Sequence, residues 1–236
     1  MRTTRRSGGG GARERTLGGE MARPHILVAG PIGAGKSTLT THLADALGYP
    51  AFLEPAAERN PFLQAMYSEL RRVHAGELDR ARSAFHVQVF FLTDALGQHS
   101  EIAALDGGAV QDRSPYEHLG IFVSHLAADG HLTPDEVAVL HEMAHTTLRH
   151  LPKPDLLVRL HAPVSVLKER IRNRGRDYEQ DMGDDYLTSH AGSYERWMGQ
   201  FDACQVLHVD VSELDTRSDD GLSLVIGRIR RHIRLP

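Results

Sequence analysis

Gly30-Pro31-Ile32-Gly33-Ala34-Gly35-Lys36-Ser37-Thr38 fits the pattern G-x-x-x-x-G-K-[ST] at every fixed position. Its flanks decide what the match means. His25-Ile26-Leu27-Val28-Ala29 is an apolar run that reads as a buried strand, and Ser37 to Leu47 reads as a helix with Leu39, Leu43, Ala46 and Leu47 on one face. Strand, glycine-rich turn and helix start therefore follow one another in the order that builds a phosphate cradle. Glycines let backbone N–H groups turn inward, the helix N-terminus adds partial positive charge, Lys36 brings a cation, and the Ser37 hydroxyl is a ligand for Mg2+. The stretch from Gly30 to Thr38 is expected to hold the phosphates of a nucleoside triphosphate. A plain glycine-rich turn with a solvated lysine would not require the strand before it or the helix after it.

Working outward, 236 residues suit one α/β domain long enough to bury a core. The sequence has no run of 18 apolar residues, so no membrane partner is expected, and the single Cys204 excludes an internal disulfide framework. A reducing cytoplasm is the expected setting. A net charge of -4, from 27 basic and 31 acidic residues, gives no global attraction to nucleic acid and points to a small-molecule partner. Residues 1–23 stand apart: arginines and the glycines Gly8 to Gly11 with little apolar content predict a disordered N-terminal extension, and Glu14 and Glu20 argue against a transit peptide. Met21 stands just before the first strand as a second conceivable start. The domain is expected over 24–236.

Ala51-Phe52-Leu53 is a short apolar run closed by Glu54-Pro55, which sets Glu54 at the C-terminal end of a strand. In an open parallel sheet that edge carries the ligand crevice. Helices are predicted over 60–73 and 83–105, the second with Phe85, Val89, Leu92 and Leu96 at helical spacing and with Gln88 as a partly buried amide needing partners. Gly108 to Gln111 leads as a strand into Asp112-Arg113-Ser114, and Pro115 opens the next helix. Asp155 to Leu160 is a further strand, with Pro163 expected at the first position of a helix to about Asn173. The strand Val206 to Asp210 and a basic final helix complete the chain. Repeated alternation of strand and helix predicts a parallel sheet with helices on both faces.

Two charged stretches need weighing. Thr133-Pro134-Asp135-Glu136 is a capping box opening a helix to about His150, within which His141-Glu142-Met143-Ala144-His145 matches the zinc protease pattern H-E-x-x-H. With 15 histidines in the chain and no further ligand motif downstream, the match reads as a plain helix face. Arg170, Arg172, Arg174 and Arg176 crowd four arginines into seven residues around Gly175. Beside a phosphate loop they predict an arginine lid near 170–180 that neutralises a transferring phosphoryl group, where a solvated charge run would be the default elsewhere.

Taken in order, the GPIGAGKST loop, Glu54-Pro55 with Glu58-Arg59-Asn60, Tyr67, Gln88, Asp112-Arg113-Ser114, the stretch Arg170 to Glu179, and Tyr194-Glu195-Arg196-Trp197 resemble the deoxynucleoside kinase family over about residues 24–233. The resemblance implies a P-loop kinase fold with a five-stranded parallel sheet, usually in a homodimer, and transfer of the γ-phosphoryl of ATP or another NTP, with Mg2+, to the 5'-hydroxyl of a deoxynucleoside. It implies Glu54 and Asp112 as the acidic pair near that hydroxyl, and Arg113 on the hydroxyl and phosphate. Tyr67 and Glu179 would hold the sugar 3'-hydroxyl, Gln88 would read the base, Arg170, Arg174 and Arg176 would meet phosphates, and Glu213 would lie by the adenine of ATP. Ser37 and Asp112 would ligate Mg2+. One position departs: members often carry an aspartate five residues after the arginine, where this chain has His118. A histidine of ordinary pKa, about 6.5, accepts when neutral and donates when protonated. A purine deoxynucleoside is the expected acceptor, with deoxycytidine next. A nucleoside-monophosphate kinase and a non-enzymatic nucleotide-dependent switch are the competing readings. The first needs extra cations for its acceptor phosphate, which the Glu54 carboxylate would repel, and the second has no use for Tyr67, Gln88 and Arg113.

Overall fold

The computed structural model describes residues 23–175, 184–233 and 235. Arg176, Glu179 and all but Arg23 of the expected extension lie outside them. The central strand β1 (His25–Ala29) is buried at every position, as its continuous apolar run requires of a strand covered on both faces. It pairs in parallel with β3 (Ala109–Asp112) on one side and β4 (Leu156–His161) on the other; β2 (Ala51–Phe52) and β5 (Gln205–Asp210) form the edges, giving the order β2-β3-β1-β4-β5.

Alternation along β1 sends its side chains to two cores. Ile26 and Val28 pack with Leu39 and Leu43 of α1 (Lys36–Leu47), Leu167 of α7 (Val164–Arg174), and Val225 and Ile229 of α9 (Asp219–His232). Leu27 and Ala29 face the other way, onto Ile121 and onto Tyr194 and Trp197 of α8 (Asp184–Met198). Helices thus cover both faces of the sheet, as expected. A third cluster, with Leu63, Met66, Val87, Leu92 and Leu140, joins α2 (Leu63–His74), α3 (Ser83–Ala103) and α6 (Pro134–Leu148) beside the sheet.

Local differences from the sequence reading have simple causes. The predicted helix at 60 begins at Leu63, because Asn60 turns back to accept from Phe62 N and a short 3-10 turn occupies Ala57–Arg59. Pro163 is the residue before α7, with an extended ψ of 144°, and not its first helical residue. The helix opened by Pro115 is α4 (Pro115–Glu117), which widens into a π-helical stretch over His118–Val123 before α5 (Ser124–Ala128). On α6 the capping box forms as expected, and His141, Glu142 and His145 are solvent-exposed. Among the described residues no three His, Cys, Asp or Glu side chains come together as a metal cluster, and no helix is long and apolar enough to cross a membrane.

Candidate active site

The phosphate loop follows β1, Glu54 follows β2 and Arg113 follows β3, so all three reach the carboxyl edge of the sheet, where open α/β sheets bind ligands. There they line a cavity of about 1020 Å³ together with Ile32, Gly33, Gly35, Lys36, Ser37, Thr38, Tyr67, Gln88, His118 and Arg174. Two loop glycines are fixed by their surroundings. A side chain on Gly30 (φ 155°) would meet the Leu160 carbonyl oxygen at 2.6 Å, and one on Gly33 (φ 83°) would meet that of Leu167 at 2.9 Å.

At this end of the cavity charged groups crowd together. Lys36 is buried and donates to the Pro31 carbonyl at 3.2 Å; burial, then the neighbouring Arg113, lower its pKa against the opposing pull of Asp112, Glu117 and Glu54. The Ser37 hydroxyl donates to Asp112 Oδ2 at 2.5 Å, while Asp112 Oδ1 is buried with no hydrogen-bond partner among the described residues. Burial pushes Asp112 above the ordinary carboxylate range despite Lys36 and Arg113. Glu54 is placed differently. Burial pushes its pKa upward too, but Arg113 and Lys36 outweigh it and hold the carboxylate below its usual range.

Arg113 is the non-glycine residue at positive φ (66°) among those described. Such a conformation costs about 1–2 kcal/mol and persists only where its surroundings over-determine it. Here its Nε is 2.8 Å from Glu54 Oε1, its Nη1 is 3.4 Å from Glu117 Oε1, and its guanidinium carbon lies 4.5 Å from the centroid of the Phe122 ring. Glu117 is a residue that sequence reasoning assigned no role. It is fully buried, and its Oε1 also meets Gly30 N at 3.3 Å and the Tyr194 hydroxyl at 2.5 Å. The available signal was its place one helical turn after Arg113.

Apolar side chains, among them Met66, Phe91, Phe122 and Leu126, form another part of the wall, which also carries Arg71, His74, His125, Asp129 and His131. Gln88 is more fully buried than expected, 4 % exposed, and its Oε1 has no partner among the described residues. His118 stacks on Phe91 (centroids 6.0 Å apart, planes 9° apart), with Nδ1 likewise buried and unpaired among the described residues. Burial, helped by Arg113 and opposed by Glu54, lowers its pKa to about 3. The ring is therefore neutral at pH 7, and the ordinary titration expected from sequence does not apply to it. Of the remaining expected residues, Arg174 lines the cavity, Arg170 donates to the Val211 carbonyl at 2.6 Å, and Glu213 is exposed in the turn after β5.

A strand, a glycine loop with a buried lysine, and carboxylates and an arginine converging at the edge of a parallel sheet define a P-loop phosphotransferase. Comparison with known proteins narrows the class. The family model for deoxynucleoside kinase matches residues 26–234. A deoxyadenosine/deoxycytidine kinase of Bacillus subtilis is 33% identical over 197 residues, 83% of this chain and 86% of that protein. A deoxyguanosine kinase of Lactobacillus johnsonii is 34% identical over 199 residues, 80% and 83% of the two chains. Among solved structures, the deoxyadenosine kinase of M. mycoides with bound dATP superposes with a TM-score of 0.67 at 22% identity, over 87% of this chain and 99% of that one. The chain belongs to the deoxynucleoside kinase family. The monophosphate-kinase and switch readings are accordingly not favoured.

Proposed function

We propose that this enzyme transfers the γ-phosphoryl of ATP to the 5'-hydroxyl of a purine deoxynucleoside, deoxyadenosine or deoxyguanosine, with deoxycytidine the next best acceptor. The observation that carries this reading is the cavity itself, which brings the glycine loop, Lys36, Glu54 and Arg113 together with Gln88 and His118, two neutral side chains that each have a buried unpaired atom among the described residues. Relatives named for deoxyadenosine, deoxycytidine and deoxyguanosine support the same acceptor class.

Phosphoryl transfer has a loose transition state, so alignment and charge neutralisation are the main tasks. Backbone N–H groups of the loop and Lys36 bind the donor phosphates, and Arg174, which lines the same cavity, adds a further cation. Glu54, ionised and held by Arg113, accepts a hydrogen bond from the 5'-hydroxyl and orients it. Arg113 neutralises charge on the transferring group, and Tyr67 holds the sugar. The hydroxyl of Ser37 and the unpaired Oδ1 of Asp112 suit Mg2+, which favours few carboxylates and keeps substrate phosphates and water as its other ligands. When bound, Mg2+ neutralises charge on the phosphate oxygens. The Gln88 amide and the neutral His118 ring offer hydrogen bonds to a base edge. Arg170, Arg176, Glu179 and Glu213 complete the donor and sugar contacts in this reading. Residues 24–236 act as one domain in the cytoplasm, as a homodimer, in nucleotide salvage.

The test is a panel of four deoxynucleosides and their monophosphates incubated with ATP and Mg2+, scored for new products. New monophosphate from deoxyadenosine or deoxyguanosine is expected. New diphosphate from the monophosphates would replace the reading with a monophosphate kinase, and a strong thymidine preference would overturn the choice of a purine.

A further inference from the structure

Glu117 ends α4 under the phosphate loop, fully buried, with its Oε2 lacking any hydrogen-bond partner among the described residues. Its Oε1 lies 2.5 Å from the Tyr194 hydroxyl. That hydroxyl, also fully buried, lies 2.7 Å from the Gly30 carbonyl oxygen. A tyrosine hydroxyl carries one hydrogen, and a carbonyl oxygen can only accept. If Tyr194 gives its hydrogen to Glu117, two bare oxygens face each other at the Gly30 contact. If it gives it to Gly30, the contact with Glu117 needs a hydrogen on Glu117. Only the second arrangement fills both contacts.

Charge counting agrees. Facing Glu117 are Asp112 and Arg113 at the end of β3, Lys36 from α1 and Tyr194 from α8; the ring beside Tyr194 is His190, held neutral with its pKa lowered to about 3 by burial and by Arg113. Arg113 already has the Glu54 carboxylate at 2.8 Å and only a 3.4 Å contact left for Glu117, while Lys36 stands with Asp112. With Glu54 and Asp112 ionised the two cations are already matched, and a third carboxylate would make the buried cluster anionic. A buried carboxylate with one oxygen unpaired is costly, whereas the acid form leaves only a carbonyl oxygen unpaired.

We infer that Glu117 is held as the neutral carboxylic acid and that Glu117 and Tyr194 form a positioning pair fixing the first residue of the phosphate loop. The Glu117 acid donates to Tyr194, Tyr194 donates to the Gly30 carbonyl, and Gly30 N–H donates back to Glu117. Gly30 is thereby gripped at both backbone polar groups by side chains from α4 and α8. Burial pushes the Glu117 pKa upward against Arg113 and Lys36, in the direction the geometry requires. The protonation rests on geometry alone; its catalytic consequence rests on the kinase reading above.

The two parts are tested separately. Wild-type protein carrying 13C-carboxyl glutamate should show, by NMR at about pH 7.5, one glutamate in the acid form, where free glutamates of pKa about 4.3 are all ionised. That signal should vanish in Glu117→Gln and move in Tyr194→Phe, which keeps the measurement interpretable if the first variant does not fold. Only ionised glutamates in the wild type would overturn the inference, whether or not the enzyme proves to be a kinase. For the positioning role, Tyr194→Phe, which removes the hydroxyl from both Gly30 and Glu117, should raise the KM for ATP about tenfold, with the deoxynucleoside KM within about twofold. Equal rises in both constants would refute a role confined to the phosphate loop.

Discussion

One group of residues at the cavity, Lys36, Glu54 and Arg113 with the buried Asp112 behind them, is charged or acidic, whereas a second, Gln88 and the neutral ring of His118, sits among aromatic and aliphatic side chains. The difference separates two kinds of work. Stabilising charge on a phosphoryl group takes fixed charges and dipoles and is indifferent to which nucleoside is bound. Choosing a base takes a few buried donors and acceptors whose unmet bonds penalise the wrong partner. On the proposed function, variants in the first group should change the rate for all acceptors alike, and variants in the second should change their ranking.

The largest expected effect is at Lys36. Lys36→Ala should lower phosphoryl transfer about a hundred- to a thousandfold for every acceptor while circular dichroism shows an unchanged fold, because on the proposed function the lysine acts on phosphate charge. Activity within a few-fold of the parent would contradict this assignment of the loop.

Acid should break the fold through its buried neutral rings. His118, His190 and, in β1, His25 all have their pKa lowered to about 3, in each case chiefly by burial. Unfolded, each takes up a proton near pH 6.5. Stability is therefore undiminished above about pH 6.5 and is lost as pH falls from there toward 3, by about 1.4 kcal/mol per histidine per pH unit, or about 4 kcal/mol per unit for the three. Urea unfolding at about pH 7.5 and 5.5 measures this, and equal stabilities would mean that the rings are protonated in the folded protein.

The smallest effect is also the most selective. His118→Asp should shift the ratio of kcat/KM among deoxyadenosine, deoxyguanosine and deoxycytidine by about tenfold, equivalent to about 1.4 kcal/mol. A uniform change across acceptors would move His118 out of the base-reading role.

What the sequence disclosed follows the same division. The phosphate loop is read from a fixed spacing between a strand and a helix, and Glu54 and Asp112-Arg113 are read from their place after short apolar runs, because the carboxyl ends of parallel strands must meet at one edge. The Glu117 and Tyr194 contact spans 77 residues, and an acid in the first turn of a helix is expected anyway for its favourable place near the helix dipole. Nothing local marks it as buried. The widening of the helix at His118–Val123 and the left-handed backbone of Arg113 depend on tertiary packing in the same way, and no residue pattern announces either. His118 itself was visible as a departure, but its neutrality comes from burial against Phe91, which a sequence does not display.

The division of labour is tested most directly by Glu54→Gln, assayed with saturating ATP against deoxyadenosine, deoxyguanosine and deoxycytidine in turn. If Glu54 orients the 5'-hydroxyl as proposed, its loss should lower kcat about a hundredfold or more, with little change in ATP affinity, and should leave the ratios of kcat/KM among the three acceptors within about twofold of the parent. A loss confined to ATP affinity, or a reordering of the three acceptors, would contradict the account.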